Sequence, residues 1–196
     1  MNESKPIDTR IESLGEAKIK TLLLDDFIGT SKEMFKSGKD RILIDVNADA
    51  IIEQIKSQKS PPTFELAGPR EKIYFDPSKL KCALVTCGGL CPGLNNVIRA
   101  IVLELYHRYQ VKQLYGIRYG REGFLPEYGH ELVELDPDKV VNSHEMGGSI
   151  LGSSRGPQDI ESIVDCLERL NIGILFMIGG DGTLKAASKI VEEIKK

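Results

Sequence analysis

The fold of this chain is decided by residues 172–183: Ile172-Gly173-Ile174-Leu175-Phe176-Met177-Ile178-Gly179-Gly180-Asp181-Gly182-Thr183. The apolar run from 172 to 178 is continuous rather than alternating, which is the pattern of a strand buried on both faces. Beyond it, apolar residues at 184, 187, 190, 191 and 194 fall at helical spacing. A glycine turn therefore joins the carboxyl end of a strand to the start of a helix. In α/β proteins such turns bind phosphates, because glycine lets the backbone approach and helix N-terminal N–H groups attract anions. A Mg²⁺ held between Asp181 and phosphate oxygens is one reason to place a carboxylate there. The other reading is a plain tight turn in which Asp181 caps the helix.

The same construction recurs earlier. Residues 82–87, Cys-Ala-Leu-Val-Thr-Cys, form a short apolar run, and Gly88-Gly89-Leu90-Cys91-Pro92-Gly93-Leu94-Asn95-Asn96 follows. A helix then carries Val97, Ile98, Ile101, Val102, Leu105, Tyr106 and Tyr109 on one face. Neither Gly-x-Gly-x-x-Gly nor a Gly-Lys-Ser/Thr P-loop is present, so the common dinucleotide and Walker readings fail. Between the two turns lies Gly147-Gly148-Ser149-Ile150-Leu151-Gly152-Ser153-Ser154-Arg155-Gly156. Pro157 is placed to open a helix with Ile160, Ile163, Val164 and Leu167 on its apolar face. Arg155 is either a solvated loop residue or an anion partner for the phosphate site. A fourth segment, Gly116-Ile117-Arg118-Tyr119-Gly120-Arg121-Glu122-Gly123-Phe124, ends another strand, and spacing assigns no ligand to its two arginines. Recurring strand, turn and helix predict an α/β fold: a parallel sheet, strands near 82–87, 113–117 and 172–178, with helices on both faces.

Taken in order, Cys-Gly-Gly-Leu-Cys-Pro-Gly-Leu-Asn-Asn, Gly-Ile-Arg-Tyr-Gly-Arg-Glu-Gly-Phe, Gly-Gly-Ser-Ile-Leu-Gly-Ser-Ser-Arg-Gly and Gly-Gly-Asp-Gly-Thr resemble the phosphofructokinase family. The run Gly68-Pro69-Arg70-Glu71-Lys72-Ile73-Tyr74-Phe75-Asp76 resembles the corresponding segment of its long plant, protist and bacterial ATP-dependent members. The match spans roughly residues 64–196. It implies an incomplete nucleotide-binding domain, with Gly89, Arg155 and Gly156 beside the nucleotide phosphates. Gly180, Asp181, Gly182 and Thr183 would wrap the phosphates, with Asp181 holding Mg²⁺. The implied reaction moves the γ-phosphoryl of ATP to the 1-hydroxyl of fructose 6-phosphate, a step of glycolysis. Positioning and charge neutralisation dominate such chemistry. Pyrophosphate-dependent relatives usually carry an aspartate where Gly182 stands, and its charge would crowd the α-phosphate of ATP. Glycine favours ATP as donor. A pyrophosphate-dependent enzyme is the alternative within the family.

The family's next strand and its Pro-Lys-Thr-Ile-Asp-Asn-Asp type segment, which carries the catalytic base, have no match here. No catalytic residue is therefore assigned. The expectation is the nucleotide-binding part of a larger enzyme, inactive alone, whose parent is a homo-oligomer and whose fructose 6-phosphate pocket is mostly missing. A non-catalytic nucleotide-binding or interaction module is the other open reading for the isolated residues. Lipid kinases and NAD kinases share a Gly-Gly-Asp-Gly turn, but the turn at 88–89 and the Ser-Ser-Arg-Gly loop argue against them.

Composition sets outer bounds. With 41% hydrophobic and 28% charged residues, the 196-residue chain has enough apolar material for one core. A net charge of -3 disfavours non-specific nucleic-acid binding. No apolar run reaches membrane-spanning length, and Met1-Asn2-Glu3-Ser4-Lys5 does not begin a signal peptide. These features suit a cytoplasmic protein, as do four cysteines, Cys82, Cys87, Cys91 and Cys166, read as reduced thiols rather than metal ligands. His107, His130 and His144 are scattered and carry no catalytic assignment. Residues 1–80 read as an N-terminal extension and 81–196 as the partial nucleotide domain. In the extension, a strand is expected over 42–46, a helix over 48–57 and a linker at Ser60-Pro61-Pro62-Thr63.

Overall fold

A computed structural model describes residues 8–21 and 35–196. The chain divides into two compact units, residues 1–75 and 76–196. The run from Met1 to Lys5 lies outside the described residues.

The first unit is built from short antiparallel pairs. Strand β1 (Ile19–Lys20) pairs with β4 (Lys72–Ile73), and β2 (Arg41–Leu43) pairs with β3 (Thr63–Glu65). The strand expected over 42–46 ends at Leu43. Beyond it, the Asp45 carboxylate accepts the Asn47 N–H at 2.8 Å, an Asx turn that breaks the extended backbone. Asn47 then caps α1 (Ala48–Lys56), its side chain accepting from the Ala50 N–H at 3.1 Å. The Pro61-Pro62 pair connects α1 to β3 inside this unit, where the Pro62 carbonyl accepts from the Ile44 N–H. It is a connection within a unit rather than a linker between units.

The second unit carries a four-stranded sheet in the order β7-β6-β5-β8. Strand β5 (Lys81–Thr86) pairs in parallel with both β6 (Gln113–Ile117) and β8 (Ile174–Ile178). All three lie where the sequence places them, to within two residues. From Cys82 to Thr86 β5 is wholly buried, which is why its sequence shows no alternation. The two-residue β7 (Val133–Glu134) adds to β6 in antiparallel sense, making the sheet mixed rather than purely parallel.

Alternation along β5 divides the core in two. Ala83 and Val85, with Ile117, meet Ile163, Cys166 and Leu167 of α4 (Ile160–Arg169) and Ile190 of α5 (Asp181–Ile194). Leu84 points the other way and sits opposite Gly116 on β6. There Leu135 and Leu151 press on Gly116 so closely that any side chain would collide with Leu151. Helix α2 (Leu94–Leu103), which crosses from β5 to β6, is tied by Asn95 to residues 146–150. The short α3 (Pro137–Val140) buries Val140.

Three helix boundaries or faces differ from expectation. Helix α4 starts at Ile160 and not at Pro157, because the Asp159 carboxylate accepts the Ser162 N–H at 2.8 Å and fixes the N-terminus there. In α2, Leu94, Asn95, Ile98 and Val102 are buried, while Val97 stays 44% exposed. A wider helical turn over Glu104–Arg108 shifts the face onto which Leu105, Tyr106 and Tyr109 fall. Helix α5 begins at Asp181, three residues before Leu184, so the first two glycines of the turn precede it and Gly182 lies within it.

Candidate functional site

Because β5 and β8 are parallel neighbours, their carboxyl ends release the two glycine turns side by side. The Cys87 N–H donates to the Ile178 carbonyl at 2.8 Å and locks the two exits together. The third loop closes on them. Ser153 Oγ donates to the Gly88 carbonyl at 2.7 Å, and the Gly88 N–H donates to the Ser154 carbonyl at 3.2 Å. Arg155 follows directly, with its Nη2 3.7 Å from the point where a side chain on Gly89 would begin. The fourth segment braces this loop from behind: the Tyr119 N–H donates to the Leu151 carbonyl at 2.8 Å, and Arg121 Nη2 donates to the Gly156 carbonyl. Gly89, Arg155 and Gly156 therefore share one rim with the turn that holds Gly180, Asp181, Gly182 and Thr183.

The glycines on this rim are present for different reasons. Gly179 serves the fold. A Cβ there would overlap the Thr183 side chain and stand 2.7 Å from the Cys87 carbonyl oxygen. Gly180 and Gly182 are the reverse case. Neither has a positive φ, and nothing lies within 4 Å of where a Cβ would sit on either. The chain's own packing does not require glycine at these two positions. Glycine there leaves the backbone open to approach from outside the chain.

Electrostatics point the same way. Helices α2 and α5 start at this end of the sheet behind Gly93 and Gly180, and no side chain caps either one. Their first N–H groups and the positive ends of their dipoles are left to face outward. Asp181 is the first residue of α5, so it does not cap the helix. Its side chain is exposed, and so is that of Arg155; among the described residues neither makes a hydrogen bond or ion pair. Unpaired N–H groups and a free guanidinium are the groups that suit an anion. Among the described residues no group of three His, Cys, Asp or Glu side chains converges to hold a metal on protein ligands alone. A single unpartnered carboxylate beside an anion site matches the way Mg²⁺ is held, through one carboxylate and substrate phosphate oxygens.

The cysteines differ in burial and in thiol acidity. Burial pushes the Cys82 thiol up to about 12, and it raises Cys87 as well, against the opposing charge of Arg121. Cys91 alone among the four is exposed. His130 lies against the Tyr119 and Tyr128 rings and 4.0 Å from Glu122.

Sequence reasoning left out the residues that hold the loops. Ser153 and Arg121 are such residues, as is Thr86, whose buried hydroxyl donates to the Gly152 carbonyl at 2.5 Å and lies 2.8 Å from Ser149 Oγ. The signal for Ser153 was its place in the Ser-Ser-Arg-Gly run. Thr86 and Arg121 gave none, because their partners lie 66 and 35 residues away.

Residues 81–196 match the family model described as phosphofructokinase. An ATP-dependent 6-phosphofructokinase of Borreliella burgdorferi is 44% identical over 194 residues, covering 99% of this chain and 43% of the relative. The enzyme of that name from Entamoeba histolytica is 44% identical over 196 residues, covering 100% of the chain and 42% of the relative. In Arabidopsis thaliana, ATP-dependent 6-phosphofructokinase 7 is 42% identical over 151 residues, covering 76% of the chain and 30% of the relative. The chain thus spans about two fifths of the length of the first two relatives. Among solved structures, Pichia pastoris phosphofructokinase in the T-state superposes with a TM-score of 0.54 at 22% identity, covering 75% of this chain and 19% of that one. A pyrophosphate-dependent phosphofructokinase from Marinobacter aquaeolei gives a TM-score of 0.52 at 23% identity, covering 59% and 30%. At these identities the superpositions speak for the fold.

Proposed function

This chain belongs to the phosphofructokinase family, and on that premise we propose that its rim of glycine turns binds the phosphates of ATP for transfer to fructose 6-phosphate. The observation that carries the proposal is the open space at Gly180 and Gly182, together with a partnerless Arg155 that reaches Gly89. In the proposed reaction the sugar 1-hydroxyl oxygen forms a bond to the γ-phosphorus. The bond to the β,γ-bridging oxygen breaks, ADP leaves, and the hydroxyl proton passes to a base. No residue of this chain is assigned as that base, so the contribution proposed for these residues is the nucleotide half of the site.

Each rim element has a role. The backbone of Gly89 and the N-terminus of α5 donate N–H groups to phosphate oxygens, and Gly182 leaves room for the α-phosphate. Thr183 closes the turn through its N–H, which donates to the Gly180 carbonyl at 2.8 Å. Arg155, with Gly156 beside it, spreads positive charge over the transferring end of the nucleotide. Asp181 would hold Mg²⁺, which would neutralise phosphate charge there. We place the reaction in the cytoplasm, in a homo-oligomeric enzyme; no described helix is long and apolar enough to cross a membrane.

Calorimetric titration of the chain with ATP, and with pyrophosphate, each in Mg²⁺, tests this reading. Saturable ATP binding that is weakened by Asp181→Asn and exceeds pyrophosphate binding is expected. Tighter binding of pyrophosphate would transfer the site to the pyrophosphate-dependent branch. Absence of binding to both would remove the nucleotide reading.

A further inference from the structure

Asn95 is the most confined polar side chain near the rim that the site described above does not use. It lies in the first turn of α2, one residue after the turn that carries Gly89, and it is 2% exposed. Both ends of its amide are committed to another loop. Nδ2 donates to the Met146 carbonyl at 2.9 Å, and Oδ1 accepts the Ile150 N–H at 2.8 Å. These two bonds reach 51 and 55 residues along the chain and clamp the start of the loop that ends in Arg155 and Gly156.

Two further links continue from that clamp. Ser149 Oγ, one residue before Ile150, lies 2.8 Å from Thr86 Oγ1, which donates to the Gly152 carbonyl. Ser153 and Ser154 then bond the Gly88 backbone in both directions. The loop is thus held at its start by the helix of the first glycine turn, in its middle by the end of β5, and at its end by the turn itself. We propose that Asn95 is a positioning residue that couples the first glycine turn to the arginine loop, so that the N-terminus of α2 and Arg155 are set as one unit. The inference rests on the nucleotide reading for its functional consequence and on the two amide bonds for its structural one.

Removing the amide takes away two part-buried hydrogen bonds, one from the Ile150 N–H and one to the Met146 carbonyl, a loss large enough to shift a local equilibrium by about tenfold. Asn95→Ala should speed hydrogen exchange in residues 147–156 by about tenfold, with no comparable change in β6 or α4. It should weaken binding of ATP with Mg²⁺ by a similar factor, and the loss should not multiply with that of Arg155→Ala. If Asn95 acts through the arginine, the double variant binds about as poorly as Arg155→Ala alone. Thr86→Val, which keeps the side-chain shape and removes the second anchor of the loop, should show the same non-additivity and serves where Asn95→Ala does not fold. Losses that multiply, or exchange in 147–156 that does not rise, overturn the inference. Failure of the unaltered chain to bind ATP sinks the nucleotide reading, and the exchange measurement then decides the coupling by itself.

Discussion

Gly182→Asp separates what the fold needs from what the ligand needs. Gly182 is the second residue of α5, has ordinary helical backbone and has nothing within 4 Å of a built Cβ. Any L-residue fits there without strain. Aspartate is only about 0.3 kcal/mol better than glycine in a helix interior. An acid near the N-terminus of a helix adds a few tenths more through the dipole. In a domain of this size the substitution should raise Tm by about 1–2 °C. ATP binding should change in the opposite direction. A new carboxylate about 4 Å from a phosphate is worth about 1 kcal/mol of repulsion in water and about 4 kcal/mol at an effective dielectric near 20. That range is a loss of about fivefold to about a thousandfold in affinity, with the exposed rim favouring the lower half. Pyrophosphate, which has no α-phosphate to place there, should lose much less. The assay is thermal unfolding alongside calorimetric titration of both ligands in Mg²⁺. A fall in Tm, or equal losses for the two ligands, would refute the reasoning.

Gly179→Ala should do the opposite: its Cβ overlaps Thr183 and the Cys87 carbonyl, so overpacking of about 1–3 kcal/mol should lower Tm by roughly 3–10 °C. Arg155→Ala, which breaks no hydrogen bond or ion pair among the described residues, should leave Tm within about 1–2 °C while weakening ATP at least about tenfold, read by the same titration. Iodoacetamide at pH 8 should modify Cys91 in the folded chain and spare buried Cys82, Cys87 and Cys166, with ATP slowing the reaction; mass mapping of the adducts checks this. Since the buried Cys82 thiol ionises only at about 12, the unfolded chain releases protons first as pH rises. Stability should therefore decline from about pH 9 toward pH 12 in denaturant titrations.

Strands β5 and β8 were legible because each is a continuous apolar run closed by glycine, whereas β6, with Gln113 and Gly116 inside it, was placed by the glycine-rich segment that follows. Strand β7 was not legible: two residues, Val133 and Glu134, carry no periodicity, and their pairing with β6 is a tertiary event. The start of α4 was misplaced because Pro157 is a generic helix opener, whereas the Asp159 cap is visible only once its carboxylate is seen on the Ser162 N–H. At the site, the motif order supplied the residues, but sequence alone does not say which glycine serves packing and which serves a ligand. Gly179, Gly180 and Gly182 look alike as letters and differ only in what surrounds each. The clamp through Asn95 and the Ser153 bond to Gly88 was equally hidden, since each spans more than fifty residues.

The central claim is that three turns far apart in sequence form one phosphate-binding rim. Backbone amide shifts of the isotopically labelled chain, titrated with ATP in Mg²⁺, test it most directly. The account predicts saturable shifts that share one dissociation constant and concentrate at Gly88, Gly89, Arg155, Gly156 and residues 180–183. Shifts that saturate at one of the turns while the other two stay unmoved, or that gather outside all three, would contradict it.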